Sequence, residues 1–230
     1  IMGNKKYSRK NKKIKKNISK KRKNKKQKGG SFYDIKCYVI TLNERPEVDK
    51  TIELFKNNNL ILNKFQAIDT RKLDTRLFKI IPNFSKFINN KTGDGFNTRY
   101  KENIINDKYK LGSLGATFSH ISLYRDILEN GYKNMFVLED DVIVDESIFK
   151  KLPNLLDDLP KNWDIFVLGF SCQYKHDKRC HFNDSAIKIK NDIYKINYFY
   201  GAYAYIISYK GAKKIIDNIY PIWWHIDTML

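Results

Sequence analysis

The segment MFVLEDD, residues 135–141, decides how the surrounding chain is expected to fold. Its first four residues are all apolar, which predicts a short strand buried on both faces of a sheet. Three carboxylic acids follow without a spacer: Glu139, Asp140 and Asp141. Carboxylates crowded at the end of a buried strand repel one another unless a cation or a proton lies among them. The segment therefore predicts a sheet with an acidic rim that binds something positive.

The spacing within the acidic triplet suggests what the rim binds. An extended chain alternates its side chains, so Glu139 and Asp141 project to one side and Asp140 to the other. The first two can hold a divalent metal that bridges a diphosphate. The alternative is an ordinary acidic turn that caps the following helix. The local pattern leaves both interpretations open.

Strands and helices alternate on either side of this segment. Short apolar runs bounded by polar residues predict strands, and apolar residues three or four apart predict helices. Because such alternation is typical of βαβ units, we predict an α/β fold with a mainly parallel central sheet, covered by helices on both faces. In such sheets, ligands bind beyond the carboxyl ends of the strands. The predicted strands span 37–42, 62–68, 135–138, 165–169 and 203–208, a hairpin spans 187–196, and helices span 47–57, 113–128, 147–157 and 209–219.

The net charge of +19 is concentrated at the start of the chain. Residues 1–30 hold 15 of the 44 Lys and Arg and no acid, which leaves 29 basic against 25 acidic residues in 31–230. A Lys-rich segment buries too little apolar area to offset the entropy of ordering. We therefore expect a disordered basic tail at 1–30 and one folded domain at 31–230. The tail fits three roles: a solvated arm, a nucleic-acid or nuclear-localisation patch, or a tether to anionic membrane.

Neither a run of 18 apolar residues nor an apolar segment behind the Lys-rich start occurs, so no transmembrane helix or secretory signal is predicted. Three cysteines, an odd and low number, favour free thiols in a reducing compartment. We expect an intracellular, soluble, cytoplasmic protein, and its many Lys, Asn and Ile residues suggest an AT-rich viral or microbial genome. Cys172, His176, Cys180 and His181 could bind zinc, although a mobile loop near the acceptor site is the favoured interpretation.

Six segments resemble, in order, the motifs of glycosyltransferase family 25, which includes lipooligosaccharide and procollagen galactosyltransferases. The resemblance spans most of residues 37–230. The resemblance implies a GT-A-type nucleotide-sugar-binding domain that transfers a sugar with inversion. The segments are YVITLNERP (38–46), LGSLGATFSH (111–120), LEDD (138–141), WDIFVLG (163–169), AYIISYKGAKK (204–214) and IDTML (226–230).

The resemblance also implies the substrates and the metal. The donor would be a UDP-sugar carrying galactose, glucose or N-acetylglucosamine, and the acceptor a hydroxyl of a glycan or protein. Mn²⁺, or another divalent cation, would be held by Glu139 and Asp141 with His225 as a third ligand. This cation would act as a Lewis acid on the departing UDP.

An inverting transfer needs a carboxylate that removes the proton of the acceptor hydroxyl. Asp227 is the candidate base and Asp140 the next choice. The alternative role for Asp227 is the N-cap of a helix over residues 228–230. The neighbouring Trp223 and Trp224 fit either stacking on a sugar or the core, and core is favoured.

Six residues are predicted to contact the donor. Those at the ends of the first two strands lie where ligands bind in parallel sheets, although each is equally typical of a turn. Ser119 and His120 are expected in the first turns of their helix, where free amides favour phosphate, with a structural hydrogen-bonding pair as the alternative. The six are Thr41, Asn43, Arg45, Asp69, Ser119 and His120.

Two other functions compete with glycosyl transfer. A degenerate glycosyltransferase scaffold could bind nucleic acid through residues 1–30, and a nucleotidyltransferase could use the same acidic triplet. Deleting the tail would abolish function in the first case and leave sugar transfer intact in an enzyme. The oligomeric state is left open by the sequence.

Overall fold

A computed structural model describes residues 34–42, 45–72, 108–171, 186–197, 199–220, 222 and 225–230. Several predictions lie outside these residues and stay predictions. They concern the basic tail at 1–30, the donor contact at Asn43, the zinc interpretation of residues 172–181, and the pair Trp223 and Trp224.

The described residues form the alternating elements that the sequence predicts. The largest departure is the long central helix, which begins at Lys108 and therefore earlier than the predicted residue 113. In chain order the elements are β1 (Lys36–Thr41), α1 (Pro46–Asn57), β2 (Leu62–Gln66), a 3-10 turn (Thr70–Lys72), α2 (Lys108–Asn130), β3 (Asn134–Glu139), α3 (Ser147–Asp158), β4 (Ile165–Ser171), β5 (Ile187–Lys190), β6 (Ile193–Lys195), β7 (Tyr200–Ser208), α4 (Tyr209–Asn218) and α5 (Ile226–Met229).

The central sheet has the strand order β2-β1-β3-β7-β4, and β5 pairs with β6 as a separate hairpin. Strand β1 is parallel to both β2 and β3, whereas β7 is antiparallel to β3 and β4. Four strands therefore run in one direction, and the predicted mainly parallel sheet is confirmed. Because β7 runs the opposite way, its first residues lie at the same edge as the last residues of β1 and β3.

Helices cover both faces of this sheet. Met135 and Val137 of β3 join one core with residues of α2 and α4, while Phe136 and Leu138 join a second core with residues of α1 and α3. Successive residues of a strand point to opposite faces, so a strand covered on both sides must be apolar throughout. This explains why residues 135–138 lack any polar side chain.

The ends of two helices are set by local chemistry. Helix α2 stops at Gly131, whose φ of +70° suits glycine and whose amide donates to the Ile127 carbonyl at 2.9 Å. Helix α4 starts at Ser208, whose hydroxyl accepts from the Gly211 amide at 3.0 Å. The predicted stop at Gly131 is thus confirmed.

Cys37 in β1 is a free thiol in the core beneath α1. Burial raises its pKa to about 12, so the thiol stays protonated and acts as a small apolar side chain. No helix in the described part of the chain combines the length and the apolar composition needed to cross a membrane.

Candidate active site

Several predicted site residues, together with Gly201, lie at one edge of the sheet. Thr41 ends β1, Glu139 ends β3, and Gly201 lies near the start of the antiparallel β7. Asp69 follows β2 at the same edge, because β2 is parallel to β1. The strand directions therefore bring together residues that are far apart in sequence, at the place where α/β sheets bind ligands.

Glu139 is tied to the interior by a chain of three buried side chains. His120 Nε2 lies 3.2 Å from Glu139 Oε1, and His120 Nδ1 lies 2.6 Å from the Tyr205 hydroxyl. The Tyr205 hydroxyl in turn lies 2.7 Å from that of Tyr124. His120, Tyr124 and Tyr205 each have an exposed fraction of 0%. We call these three residues the buried chain.

Ser119 and His120 do not lie in the first turns of α2. The prediction that free helix amides at these residues bind phosphate is therefore wrong. Because α2 begins at Lys108, both residues lie in its middle, where backbone amides are already bonded within the helix. The Ser119 hydroxyl donates to the Gly115 carbonyl at 2.8 Å and accepts from the Ile68 amide at 2.8 Å. Their contacts match the alternative interpretation, a structural hydrogen-bonding pair.

These contacts dock the segment after β2 onto α2. A Cβ atom on Gly115 would lie 2.3 Å from the Ile68 carbonyl oxygen, so the helix can approach this closely only at a glycine. The buried Thr70 hydroxyl also bonds the Leu111 carbonyl. Gly115, Ser119 and Thr70 thus position the segment that carries Asp69.

Asp69 is engaged in its own turn. Its Oδ1 accepts from the Arg71 amide at 3.2 Å and from Arg71 Nε at 2.7 Å, while Lys72 Nζ lies 3.8 Å from Oδ2. The hydrogen bond from Arg71 holds the pKa of Asp69 below its ordinary value. Arg71 and Lys72 were not predicted to matter, although two cations at the second and third positions after Asp69 were a visible signal.

The loops after β1 and β3 are joined by an ion pair. Arg45 Nη1 lies 3.4 Å from Asp140 Oδ1, with the Arg45 side chain about half exposed and the Asp140 side chain mostly buried. Thr41 is buried, and its carbonyl accepts from the Ala67 amide at 2.9 Å. Two residues predicted separately, a donor contact and a reserve base, are thus neighbours.

Asp227 is held at the same edge by the first residues of β7. Its Oδ2 accepts from the Gly201 amide at 2.8 Å. The N-cap of α5 is His225 and not Asp227, so the alternative capping role of Asp227 is not the one observed.

Gly201 was missed by sequence analysis. Two features favour glycine here. Its φ is +80°, which other residues rarely adopt, and a Cβ atom would lie 2.4 Å from the ring of Tyr203. A glycine inside an otherwise regular strand pattern was the signal that could have found it.

The three predicted metal ligands do not form one cluster. No group of three His, Cys, Asp or Glu side chains placed to hold a metal occurs within the described residues. Glu139 faces His120, and His225 Nδ1 is hydrogen-bonded to the Ser113 hydroxyl, while Asp141 is exposed. Burial lowers the pKa of His225, which favours the neutral imidazole.

An acidic triplet and a further carboxylate thus lie at the strand ends where α/β proteins bind their ligands. Residues 34–230 match glycosyltransferase family 25, described as LPS biosynthesis protein. The chain therefore belongs to this family, which confirms the resemblance seen in the six motifs. The fold is accordingly GT-A-like.

Curated relatives share the family but are much longer proteins. The chain is 24% identical over 184 residues to "Glycosyltransferase 25 family member" of Aedes aegypti, covering 79% of this chain and 28% of the relative. It is 22% identical over 185 residues to human "Procollagen galactosyltransferase 2", covering 78% and 27%. A mouse relative, 22% identical with coverages of 79% and 28%, is named "Inactive glycosyltransferase 25 family member 3". The chain thus spans little more than a quarter of these relatives.

Proposed function

We propose that this chain is a glycosyltransferase that moves a sugar from a UDP-sugar to a hydroxyl of a glycan or protein. The observation that carries the proposal is the shared edge, where the acidic triplet, the Arg45–Asp140 ion pair and Asp227 lie at the ends of neighbouring strands. Galactose, glucose and N-acetylglucosamine remain the candidate sugars. The name of the human relative supports galactose most directly.

The acidic rim suits a divalent cation such as Mn²⁺. Asp141 is exposed and has no hydrogen bond or ion pair with any other described residue, so its oxygens can serve as ligands. Cations of this type are often held by one or two carboxylates, with substrate phosphates and water completing the shell. Asp141 and Glu139 are the two carboxylates that we propose for this role, while His225, bonded through Nδ1 to Ser113, joins no three-ligand group with them among the described residues. When bound, the cation would neutralise charge on the leaving diphosphate.

Asp227 is the better candidate for the base. Its Oδ2 accepts from the Gly201 backbone amide, which fixes the carboxylate at the site edge. Asp140 Oδ1 is engaged by the Arg45 guanidinium, so this carboxylate is less available to an acceptor hydroxyl. In an inverting transfer, Asp227 would accept the proton of the acceptor hydroxyl as it attacks opposite the diphosphate.

Titration calorimetry with UDP and Mn²⁺, combined with a hydrolysis screen across UDP-sugars, tests the proposal. We expect cation-dependent binding and a preference for one sugar. Asp141→Asn should abolish the cation-dependent part of UDP binding, because it removes an anionic ligand but little volume. Asp157→Asn is the matched control, since this exposed residue lies in the last turn of α3, away from the site edge.

Three results would contradict the proposal. Absence of binding to every UDP-sugar, with and without Mn²⁺, would remove the donor. Unchanged cation dependence in Asp141→Asn would show that the cation binds elsewhere. Binding without hydrolysis or transfer would group the chain with the relative named inactive.

A further inference from the structure

We propose that Tyr205 is a positioning residue that acts through His120 to hold the Glu139 carboxylate at the site edge. Tyr205 lies in the middle of β7 and has no exposed surface, so it does not contact a donor itself. The proposal rests on the proposed function, because that function gives Glu139 a part in binding the donor with its cation.

The direction of each hydrogen bond in the buried chain follows from what each group can do. An ionised carboxylate only accepts, so His120 Nε2 must carry the hydrogen that faces Glu139. In a neutral imidazole the other nitrogen is then an acceptor, and it receives the Tyr205 hydroxyl hydrogen. The Tyr205 oxygen remains free to accept from Tyr124.

Burial favours an arrangement in which every polar atom is paired. Desolvation raises the pKa of Tyr124 and of Tyr205 above the ordinary value, so both phenols keep the hydrogens that the chain needs. A polar atom left unpaired in this interior would cost about 1–3 kcal/mol. Each donor in the chain is therefore matched to one acceptor, and the chain ends on Glu139.

The ring of His120 is also fixed sterically. It stacks on Tyr205 with ring centroids 5.7 Å apart and planes inclined by 26°. Tyr205→Phe keeps this stacking but removes the hydrogen that Nδ1 accepts. Nε2 still donates to Glu139, but the Nδ1 lone pair is left without a donor in the interior, so the ring is no longer held at both nitrogens. The orientation of the carboxylate is then less firmly fixed.

Two Tyr→Phe variants of the full chain separate positioning from packing. Tyr205→Phe and Tyr124→Phe each remove one fully buried hydroxyl from the buried chain, but only the Tyr205 hydroxyl is hydrogen-bonded to His120. We expect Tyr205→Phe to weaken UDP–Mn²⁺ binding by about 10–100-fold, the usual effect of losing a partner that orients a metal ligand. Tyr124→Phe should have a smaller effect on binding at a similar loss of thermal stability. Equal losses of binding in the two variants would overturn the proposal, because a packing role predicts them.

The two ring nitrogens of His120 test the same proposal without donor or metal. The protein has four histidines, so nitrogen-15 NMR of the imidazoles is simple, and His120→Gln identifies the signals. We expect hydrogen on Nε2 in the wild type and in both variants, and a changed Nδ1 chemical shift in Tyr205→Phe alone, because only that variant removes the hydrogen that Nδ1 accepts. Hydrogen on Nδ1 in the wild type, or an unchanged Nδ1 chemical shift in Tyr205→Phe, would overturn the proposal. A protein that binds no nucleotide would contradict the proposed function, while the NMR result would still decide whether Tyr205 positions Glu139.

Discussion

The two helical layers that cover the sheet bury different chemistry. Beneath α1 and α3 the core is apolar, and the ring of Phe55 lies 4.9 Å from that of Phe149 and 5.4 Å from that of Phe136. Beneath α2, by contrast, the described residues include the buried polar side chains Ser119 and His120. Both polar side chains make hydrogen bonds towards the site edge, whereas the phenyl rings have no hydrogen-bonding groups.

This difference separates stability from positioning. Apolar burial is non-directional and depends mainly on area, so the α1/α3 layer can stabilise the fold without orienting any group. Hydrogen bonds are directional and costly to leave unmade, so the α2 layer fixes where Glu139 and the Asp69 segment lie. Variants in the two layers should therefore change different measurements.

The largest expected effect is on transfer and comes from the α5 side of the site. Asp227→Asn keeps the size of the side chain and an oxygen that can accept from Gly201, but it removes the basic carboxylate. Transfer should fall by about 10²–10⁴-fold while UDP affinity and the unfolding midpoint change little. Initial rates and calorimetry on the same preparation measure both quantities.

Two outcomes would revise the role of Asp227. A collapse of UDP–Mn²⁺ affinity would make it a donor-site residue, and the base would then be sought at Asp140. Unchanged transfer would show that Asp227 only ties α5 to the start of β7.

The second-largest expected effect concerns only the stability of the fold. Phe55→Ala removes a fully buried ring from the apolar layer and should lower the free energy of unfolding by about 3–5 kcal/mol. Urea denaturation measures this loss, and Phe55→Leu should recover most of it. Donor affinity, measured where the variant is still folded, should match the wild type. A large loss of affinity would show that the two layers are not separate.

Gly115→Ala should lower both the free energy of unfolding and the affinity for the donor. The added methyl group meets the Ile68 carbonyl, so the Asp69 segment or α2 must shift, at about 1–3 kcal/mol of unfolding free energy and with weaker donor binding. Gly112→Ala is the matched control, since nothing lies within 4 Å of its added Cβ in the same helix. This control should stabilise the protein by about 0.5–1 kcal/mol. A neutral Gly115→Ala would show that the docking of α2 is looser than its contacts indicate.

The smallest effect is expected at the start of α4. Ser208→Ala removes the hydroxyl that accepts from Gly211 and donates to the Trp163 carbonyl at 3.1 Å, which should cost about 1 kcal/mol of stability. Ser208→Thr keeps the hydroxyl and should be close to the wild type in urea denaturation. Donor binding should be unaffected in both variants, and a change there would link α4 to the site.

Local sequence patterns were sufficient for the elements themselves. The apolar run at 135–138, the hairpin at 187–196 and the stop at Gly131 were all predicted, because periodicity and turn chemistry act between near neighbours. The start of α2 was missed because Gly112 and Gly115 weaken the local helix signal. Packing against Ile68 and Thr70 stabilises the helical conformation of this segment. Neither residue is close to α2 in the sequence.

The sequence by itself determined the strands, the acidic rim after β3 and the family to which the chain belongs. Only the tertiary structure decided that β7 lies antiparallel between β3 and β4, and that its start meets Asp227 while its middle meets His120. The partners His120 and Tyr205 are 85 residues apart, and Gly201 and Asp227 are 26 apart. Pairings over such separations carry no periodic signal in the chain, because they are selected by packing and by the need to satisfy every buried polar atom.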